Sequence, residues 1–393
     1  MAQSRQAYRR SEAPQTAAPD PVIVLATLGL LSIGVVMVTS TSVAVAEGYA
    51  VSVWYFLVRH LVYIALGVGL AALAGLVSLR LVERLAPVAL PLAVAVLLLP
   101  FVPGLGYEVN GSTRWIDLGV ARFQVVEAAK LLLIVFVAGY LARRPELRQG
   151  RFIDTVKPLL AVALLAAILL KQPDMGSAVV LAAIVGGMIW LAGAAWKHLF
   201  VLGLSSLPLL TFAALEPYRL RRVMTFVDPW ADPFNSGFQL TQALIAVGRG
   251  EITGVGLGAS VQKLYYLPEA HTDFIFAVLA EEFGLLGILG VVALFALLVG
   301  RLLMIGVQAR SRQRPFAAYL VWGVALWIGL QALVSIGVNL GVLPTKGLTL
   351  PLISAGGSSL IMTLVAIGLV LGVQRELVIE ARQTPRRRRS WQV

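Results

Sequence analysis

An all-α polytopic membrane protein is predicted by three observations on this 393-residue chain: 59% of its residues are hydrophobic, 13% are charged, and the apolar residues gather into ten runs joined by basic links. A soluble domain carries roughly one quarter charged residues. The mean hydropathy of +0.85 agrees. A net charge of +12 would suit nucleic acid, but the basic residues sit mostly in short links between apolar runs, so a nucleic-acid partner is set aside. The absence of cysteine excludes disulfides and thiolate chemistry, and three histidines, His60, His198 and His271, exclude a His-rich metal site.

Windows of about 19 residues place transmembrane helices at 22–45, 53–78, 84–102, 124–142, 157–171, 176–194, 197–215, 272–300, 316–342 and 350–374. The first run ends in Ala44-Val45-Ala46, similar to a signal-peptidase site. Its apolar core exceeds the 7–15 residues of a signal segment, so it reads as an uncleaved span. Residues 1–20 form a basic, disordered cytoplasmic tail before it, and 377–393 a second basic tail behind a ten-helix membrane domain at 21–376. Of the 32 Lys and Arg residues, 21 fall on the side of the two tails and of the links after the second, fourth, sixth and eighth spans. That bias puts both termini in the cytoplasm. The long connections 103–123 and 216–271 are then extracytoplasmic, the larger one between the seventh and eighth spans. The 216–271 loop is rich in aromatics, Pro and Gly and lacks the composition of disorder. A folded cap is expected, with an amphipathic or re-entrant piece around Phe238 to Val247.

Ionisable residues on membrane spans cost at least about 2.5 kcal/mol and mark functional sites by default. Asp273, at the mouth of the eighth span beside His271 and Thr272, is the leading candidate. It shares a stripe with Ala277 and Glu281, with Glu282 one position round, and two turns put the carboxylates roughly 12 Å apart. Such a separation excludes a tightly coupled dyad. A helix-terminal role for Asp273, or Thr272 as the cap, is the local alternative. Gln124, Glu127 and Lys130 share one face of the fourth span, and Glu127 and Lys130 suit either a structural ion pair or a substrate role. Arg114, Arg122, Lys171, Arg219, Arg221, Arg222, Arg249, Lys263 and Lys346 lie against the positive-inside trend. Their chemistry suits phosphate, or the headgroups of anionic lipid. Gly254-Val-Gly-Leu-Gly258 lacks the strand and helix of a nucleotide loop and is weak as such. The Gly pair and hydroxyls of Leu350 to Ser359 suit close helix packing or ligand binding equally.

These residues carry a resemblance. The chain resembles the SEDS family of bacterial cell-wall polymerases (shape, elongation, division and sporulation) over all ten spans. The marks are Asn110-Gly-Ser-Thr-Arg-Trp-Ile-Asp-Leu-Gly119, Gln124 to Lys130, Pro173-Asp-Met-Gly176, Tyr218 through Trp230, Gly237-Phe-Gln239, Gly254 to Gly258, Gln262-Lys263, Leu267-Pro-Glu-Ala-His-Thr-Asp-Phe274, Ala280-Glu-Glu282, Pro344-Thr-Lys-Gly347 and Gly356-Gly-Ser-Ser359. Ala270 stands where the elongation branch, the RodA type, typically has Arg, so the likeness is to the division branch, the FtsW type. Two departures are Gln124-Val-Val-Glu127 for the usual Gln-Pro-Ser-Glu and Ser354-Ala-Gly-Gly-Ser358 for Ser-Tyr-Gly-Gly-Ser, each losing a supporting hydroxyl.

The resemblance implies a peptidoglycan glycosyltransferase that joins lipid II into glycan strands outside the inner membrane, at the division septum, with inversion at the anomeric carbon. It implies Asp273 as general base and Arg114, Lys130, Lys171 and Lys346 as pyrophosphate clamps. His271, Gln262, Lys263 and Ser358 are further substrate contacts, Glu127, Asp174 and Glu281 are supports, and a divalent cation, Mg or Mn, is held partly by Glu127. No organic cofactor is implied. The expected partners are a class B penicillin-binding protein of the FtsI type and the FtsQ, FtsL, FtsB and FtsN regulators. A lipid II flippase, a RodA-type elongation polymerase and a scaffold for the septal transpeptidase are the competing readings. A scaffold predicts that Asp273→Asn leaves function intact, and a flippase would keep its site near the bilayer midplane.

Overall fold

Inside lipid every backbone polar group must be satisfied within the protein, so apolar runs of this length fold as helices. The computed structural model describes residues 18–48, 52–109, 111–119, 121–144, 152–198, 200–201, 203–204, 224–264 and 266–389. Its apolar helices are α1 (Pro21–Gly48), α2 (Val53–Leu76), α3 (Leu79–Leu98), α4 (Val125–Ala142), α5 (Phe152–Lys171) and α6 (Met175–Leu191). After α7 (Phe238–Gly250) come α8 (Ile275–Ser311), α9 (Pro315–Asn339) and α10 (Gly357–Arg389). Eight helices among the described residues are long and apolar enough to cross a membrane, and α6, with 17 residues, is a shorter apolar helix. The predicted seventh span, 197–215, and the predicted tail 1–20 lie largely outside the described residues.

Three expectations need correction. The fold is not purely helical: the connection 103–123 carries a three-stranded antiparallel sheet, β1 (Gly106–Val109), β2 (Ser112–Asp117) and β3 (Arg122–Gln124). Tyr107 pairs with Trp115 and Ile116 with Phe123, and these aromatic and β-branched side chains suit a half-buried pleated surface. The tenth helix begins at Gly357, not at residue 350. Leu350, Leu352 and Ile353 are apolar because they are buried inside the bundle, and Ser354 takes the Leu350 N–H at 2.8 Å, which holds the segment in a turn. The predicted tail 377–393 continues as helix to Arg389. At the other terminus Asp20 is buried, accepts from the N–H groups of Val22 and Ile23, and pairs with Arg301 at 2.6 Å.

The bundle is tightened by small residues. The α2 stripe Gly67, Ala71 and Gly75 packs on Leu364, Gly368 and Gly372 of α10, where a Cβ on Gly368 would sit 2.2 Å from the Ala71 carbonyl oxygen. Such stripes let helix backbones touch where no hydrophobic effect drives them together. α8 packs on α9, α1 and α7, and α9 packs in turn on α4 and α6.

The amphipathic piece expected at Phe238 to Val247 is helix α7, lying against α8. Its reason for being there is a break in α8. Gly284 has φ 62° and ψ −158°, and the helix ladder is interrupted around it. The loop after α7 fills the gap: the N–H groups of Val255 and Gly256 donate to the carbonyls of Glu281 and Glu282, and those of Leu285 and Leu286 donate to Glu251 and Ile252. Backbone meets backbone so closely that a Cβ on Gly254, itself at φ 81°, would fall 2.1 Å from the Glu282 carbonyl oxygen. Gly254→Ala is therefore expected to cost about 1–3 kcal/mol, read as a lower thermal midpoint of the purified protein. Gly290→Ala, with nothing within 4 Å of the new Cβ, is expected to leave the midpoint unchanged, and equal behaviour of the two variants would contradict the docking.

Candidate functional site

One end of the bundle gathers the sheet, the start of α6, the chain leading into α8 and the segment from α9 to α10. Asp273 lies two residues before Ile275, the first residue of α8, and one before the N-cap Phe274, so it belongs to a turn and not to the helical stripe predicted with Ala277 and Glu281. Position is imposed by backbone. Asn339 donates to the Asp273 carbonyl at 2.9 Å while accepting from the Ala277 N–H at 2.9 Å. Ser354 donates to the Thr272 carbonyl at 2.7 Å, and the Ala355 N–H to the His271 carbonyl at 3.0 Å. Thr272 is not a helix cap; its hydroxyl donates to the Glu269 carboxylate at 2.7 Å.

The Asp273 side chain faces the Pro344-Thr-Lys-Gly347 turn: a Cβ on Gly347 would stand 3.0 Å from its Oδ2. The same turn reaches the start of α6, because a Cβ on Gly176 would meet the Lys346 stem at 3.4 Å and Asp174 Oδ1 at 3.7 Å. Asp174 caps α6, Oδ1 accepting from the Ser177 N–H and Oδ2 from its hydroxyl, and Arg114 stands 3.9 Å from Oδ2. Arg114 is aimed from β2 by Ser112, which accepts from its Nε at 2.7 Å and donates to the Gln172 carbonyl at 2.5 Å. Asp273, Lys346, Asp174 and Arg114 thus form one series across the end of the bundle, with Lys171 exposed at the last residue of α5 nearby in the chain.

A second group lies beneath. Lys130 and Glu127 are buried, with the ammonium 2.9 and 2.8 Å from the two carboxylate oxygens. Lys130 also donates to Gln331 Oε1 at 2.7 Å, and Gln331 donates to the Thr349 carbonyl at 3.0 Å. The pair therefore joins α4 to α9 and to the segment behind the Lys346 turn. Ser358, at the start of α10, accepts from the Gln124 N–H at 2.9 Å. Arg122 lies with its guanidinium 3.7 Å above the Tyr107 ring, within the sheet.

A third group is separate from Asp273. Glu281, fully buried, accepts from Ser260, from the N–H groups of Val261 and Gln262, and from Arg249 at 3.1 Å. Glu282 holds Lys263 at 2.7 Å and Ser40 of α1 at 2.7 Å. Gln262, Lys263 and Glu281 therefore staple the loop that fills the α8 break. The Gly254 to Gly258 run is part of that docking and not a nucleotide loop.

Glu127 is a poor metal ligand here, since Lys130 occupies it, and among the described residues no three His, Asp or Glu side chains come together as a metal site. His271 is pressed edge-on against Phe56, centroids 6.0 Å apart, with Nδ1 buried and without a hydrogen-bond partner among the described residues. Burial lowers its pKa, with the Glu269 carboxylate pulling the other way.

Sequence reasoning missed Gln331 and Asn339. Both lie on α9 with Ser335 at a spacing of four residues, one polar face on an otherwise apolar span. That spacing was the available signal.

Residues 21–378 match the cell cycle protein family of FtsW, RodA and SpoVE. The chain is 51% identical over 378 residues to the probable peptidoglycan glycosyltransferase FtsW of Alkalilimnicola ehrlichii, covering 94% of this chain and 93% of that one. It is 49% identical over 370 residues to the protein of the same description from Nitrosococcus halophilus, covering 94% and 95%. Among solved structures it is similar to a chain of a peptidoglycan synthase complex that coordinates polymerisation and crosslinking, with TM-score 0.74 and 34% identity over 92% of this chain and 98% of that one. It is also similar to the rod shape determining protein RodA of Thermus thermophilus, with TM-score 0.68 and 31% identity over 92% and 99%.

Breaking the buried pair by Lys130→Met strands Glu127 and is expected to cost about 3–5 kcal/mol, whereas Glu127→Gln with Lys130→Met recovers most of that loss. Thermal unfolding of the single and double variants reads the difference. For His271 the unfolded chain takes up its proton first as the pH falls, so the folded protein loses stability below about pH 6.5. His271→Gln is expected to flatten that part of the stability-against-pH curve.

Proposed function

We infer from its place in the cell cycle protein family of FtsW, RodA and SpoVE, to which this chain belongs, that it is a peptidoglycan glycosyltransferase of the FtsW type. Relatives at about half identity carry that activity and the division name, which favours division over the elongation reading. The substrate is lipid II and the product a glycan strand.

Asp273 is the general base. It takes the proton of the acceptor sugar hydroxyl, whose oxygen attacks the donor's anomeric carbon from the side opposite the leaving group, with inversion. Undecaprenyl pyrophosphate departs with the electron pair of the broken bond. The observation that carries this reading is the Lys346-Gly347 turn, which has the Asp273 carboxylate on one side and the Asp174 and Arg114 group on the other. A base and two cations lie in one series, as proton removal and departure of a pyrophosphate require. Lys171 extends the cationic surface, and Ser358 and His271 are further substrate contacts. Glu127, Lys130 and Glu281 act from below as positioning residues. Mg and Mn are held through one or two carboxylates plus substrate phosphates; Glu127, engaged by Lys130, does not fit that role, and no step is routed through a metal.

Positive-inside bias supports an extracytoplasmic site with both termini inside. α2 packs mainly on α10 and α1 while α3 packs on α4 and α5, so the two diverge from their short link and can admit a prenyl tail between them. The likeness to a synthase complex supports a class B penicillin-binding transpeptidase as partner, with FtsQ, FtsL, FtsB and FtsN as regulators at the septum. A flippase would use Glu127, Lys130, Glu281 and Glu282 as a path, yet each is already paired: Glu127 with Lys130, Glu281 with Arg249, Glu282 with Lys263. Closed pairs argue against that reading.

The test is lipid II polymerisation by the purified chain with its class B partner, transpeptidation blocked. Asp273→Asn is expected to lower the rate by about 10²–10⁴-fold at an unchanged thermal midpoint. No strands from the wild-type complex would sink the enzyme reading, and a variant within tenfold of wild type would sink Asp273 as base.

A further inference from the structure

The other end of the bundle holds a cavity of about 580 Å³ where the C-termini of α4, α6 and α8 meet the start of α9. Arg144, Arg310 and Gln313 line its polar side, Val307 and Trp322 its apolar side, and none of the described lining residues is acidic. Arg310 is fixed, not trailing in solvent. Its guanidinium lies 5.5 Å from the Tyr319 ring centroid, Tyr319 stands edge-on to Trp322 at 5.8 Å, and Trp322 donates to the Leu303 carbonyl at 3.2 Å.

Its depth is marked by aromatics. Trp190 and Trp196, on either side of the lining residue Ala192, are 57% and 71% exposed, as tryptophans at the headgroup level of a bilayer are. Val307 is 59% exposed and shares an outward apolar face with Met304, so one rim of the cavity opens toward hydrocarbon. Arginines at helix C-termini complement the helix dipole. That accounts for the charges singly, but not for a cavity that is cationic on one wall, apolar on the other and set at the interface.

We propose that this cavity binds the phosphodiester headgroup of an anionic phospholipid of the inner leaflet, with Arg310 and Arg144 on the phosphate, Gln313 beside it and an acyl chain leaving past Val307. Basic pockets between spans on the cytoplasmic side suit such lipids. The site is independent of Asp273 and of the polymerase reading, and rests on the orientation drawn from the basic links.

Native mass spectrometry of the full-length protein, delipidated and offered phosphatidylglycerol, cardiolipin or phosphatidylethanolamine, tests it. Wild type is expected to retain the anionic lipids preferentially. Arg144→Gln with Arg310→Gln is expected to weaken retention by about fivefold per arginine, and the exposed pair Arg80→Gln with Arg84→Gln to leave it unchanged. Val307→Trp fills the apolar rim with every charge kept; it is expected to lose retention too, and it carries the test alone if the arginine variant does not fold. Equal loss in the Arg80 and Arg84 control, or full retention in Val307→Trp, overturns the proposal. Displacement by millimolar inorganic phosphate alone assigns the cavity to a soluble phosphate and also overturns it.

Discussion

The break of α8 at Gly284 is the constraint on which the site end of the molecule depends. It lies about 14 Å into the helix from Ile275, a depth at which unsatisfied backbone is not tolerated against lipid. Only protein can complete the ladder, and the Glu251 to Gly256 strip does so. Once that strip is committed, α7 must lie on α8, and the chain from Ser260 to Asp273 has a fixed starting point. Glu281 and Glu282 secure it with carboxylates taken up by Ser260, Val261, Gln262, Arg249 and Lys263.

Asp273 is thus held from two directions. Behind it runs the loop anchored in the α8 break, and across from it Asn339 and Ser354 grip the backbone of residues 272 and 273. Residues built into packed elements keep a side chain in place more tightly than a loop alone. Buried ion pairs contribute little net stability, since desolvation offsets their attraction. Glu127 with Lys130 is better understood as a register device: it aligns α4 with Gln331 on α9, and Gln331 in turn holds Thr349 behind the Lys346 turn.

The two ends of the bundle have different chemistry for one reason. The positive-inside bias loads one end with arginines, and there the helix termini are tied by Asp20 with Arg301, Arg314 with Glu380 and Arg312 with the Leu377 carbonyl. At the opposite end cations are fewer, and among the described residues three are placed individually: Arg114 by Ser112, Arg122 by Tyr107, Lys263 by Glu282.

Much of the fold was legible from residue pattern alone. Apolar runs locate helices because lipid admits little else, and a lone aspartate beside such a run stands out because its burial is costly. The piece at Phe238 to Val247 was legible from its amphipathic composition. The sheet at 106–124 was not, since strands of three to six residues leave too short an alternation. The start of α10 was misplaced because Leu350 to Ile353 are as apolar as a span but buried in protein, and hydropathy does not distinguish lipid from core. Composition and pattern by themselves determined a helical membrane protein and singled out Asp273 as its leading candidate residue. Only the tertiary structure decided that Glu281 and Glu282 serve the loop and not Asp273, that Lys130 also donates to Gln331, and that the Lys346-Gly347 segment lies between Asp273 and the Asp174 and Arg114 group. Those outcomes depend on contacts between residues 19 to more than 200 positions apart, and spacing along one helix carries no information about them.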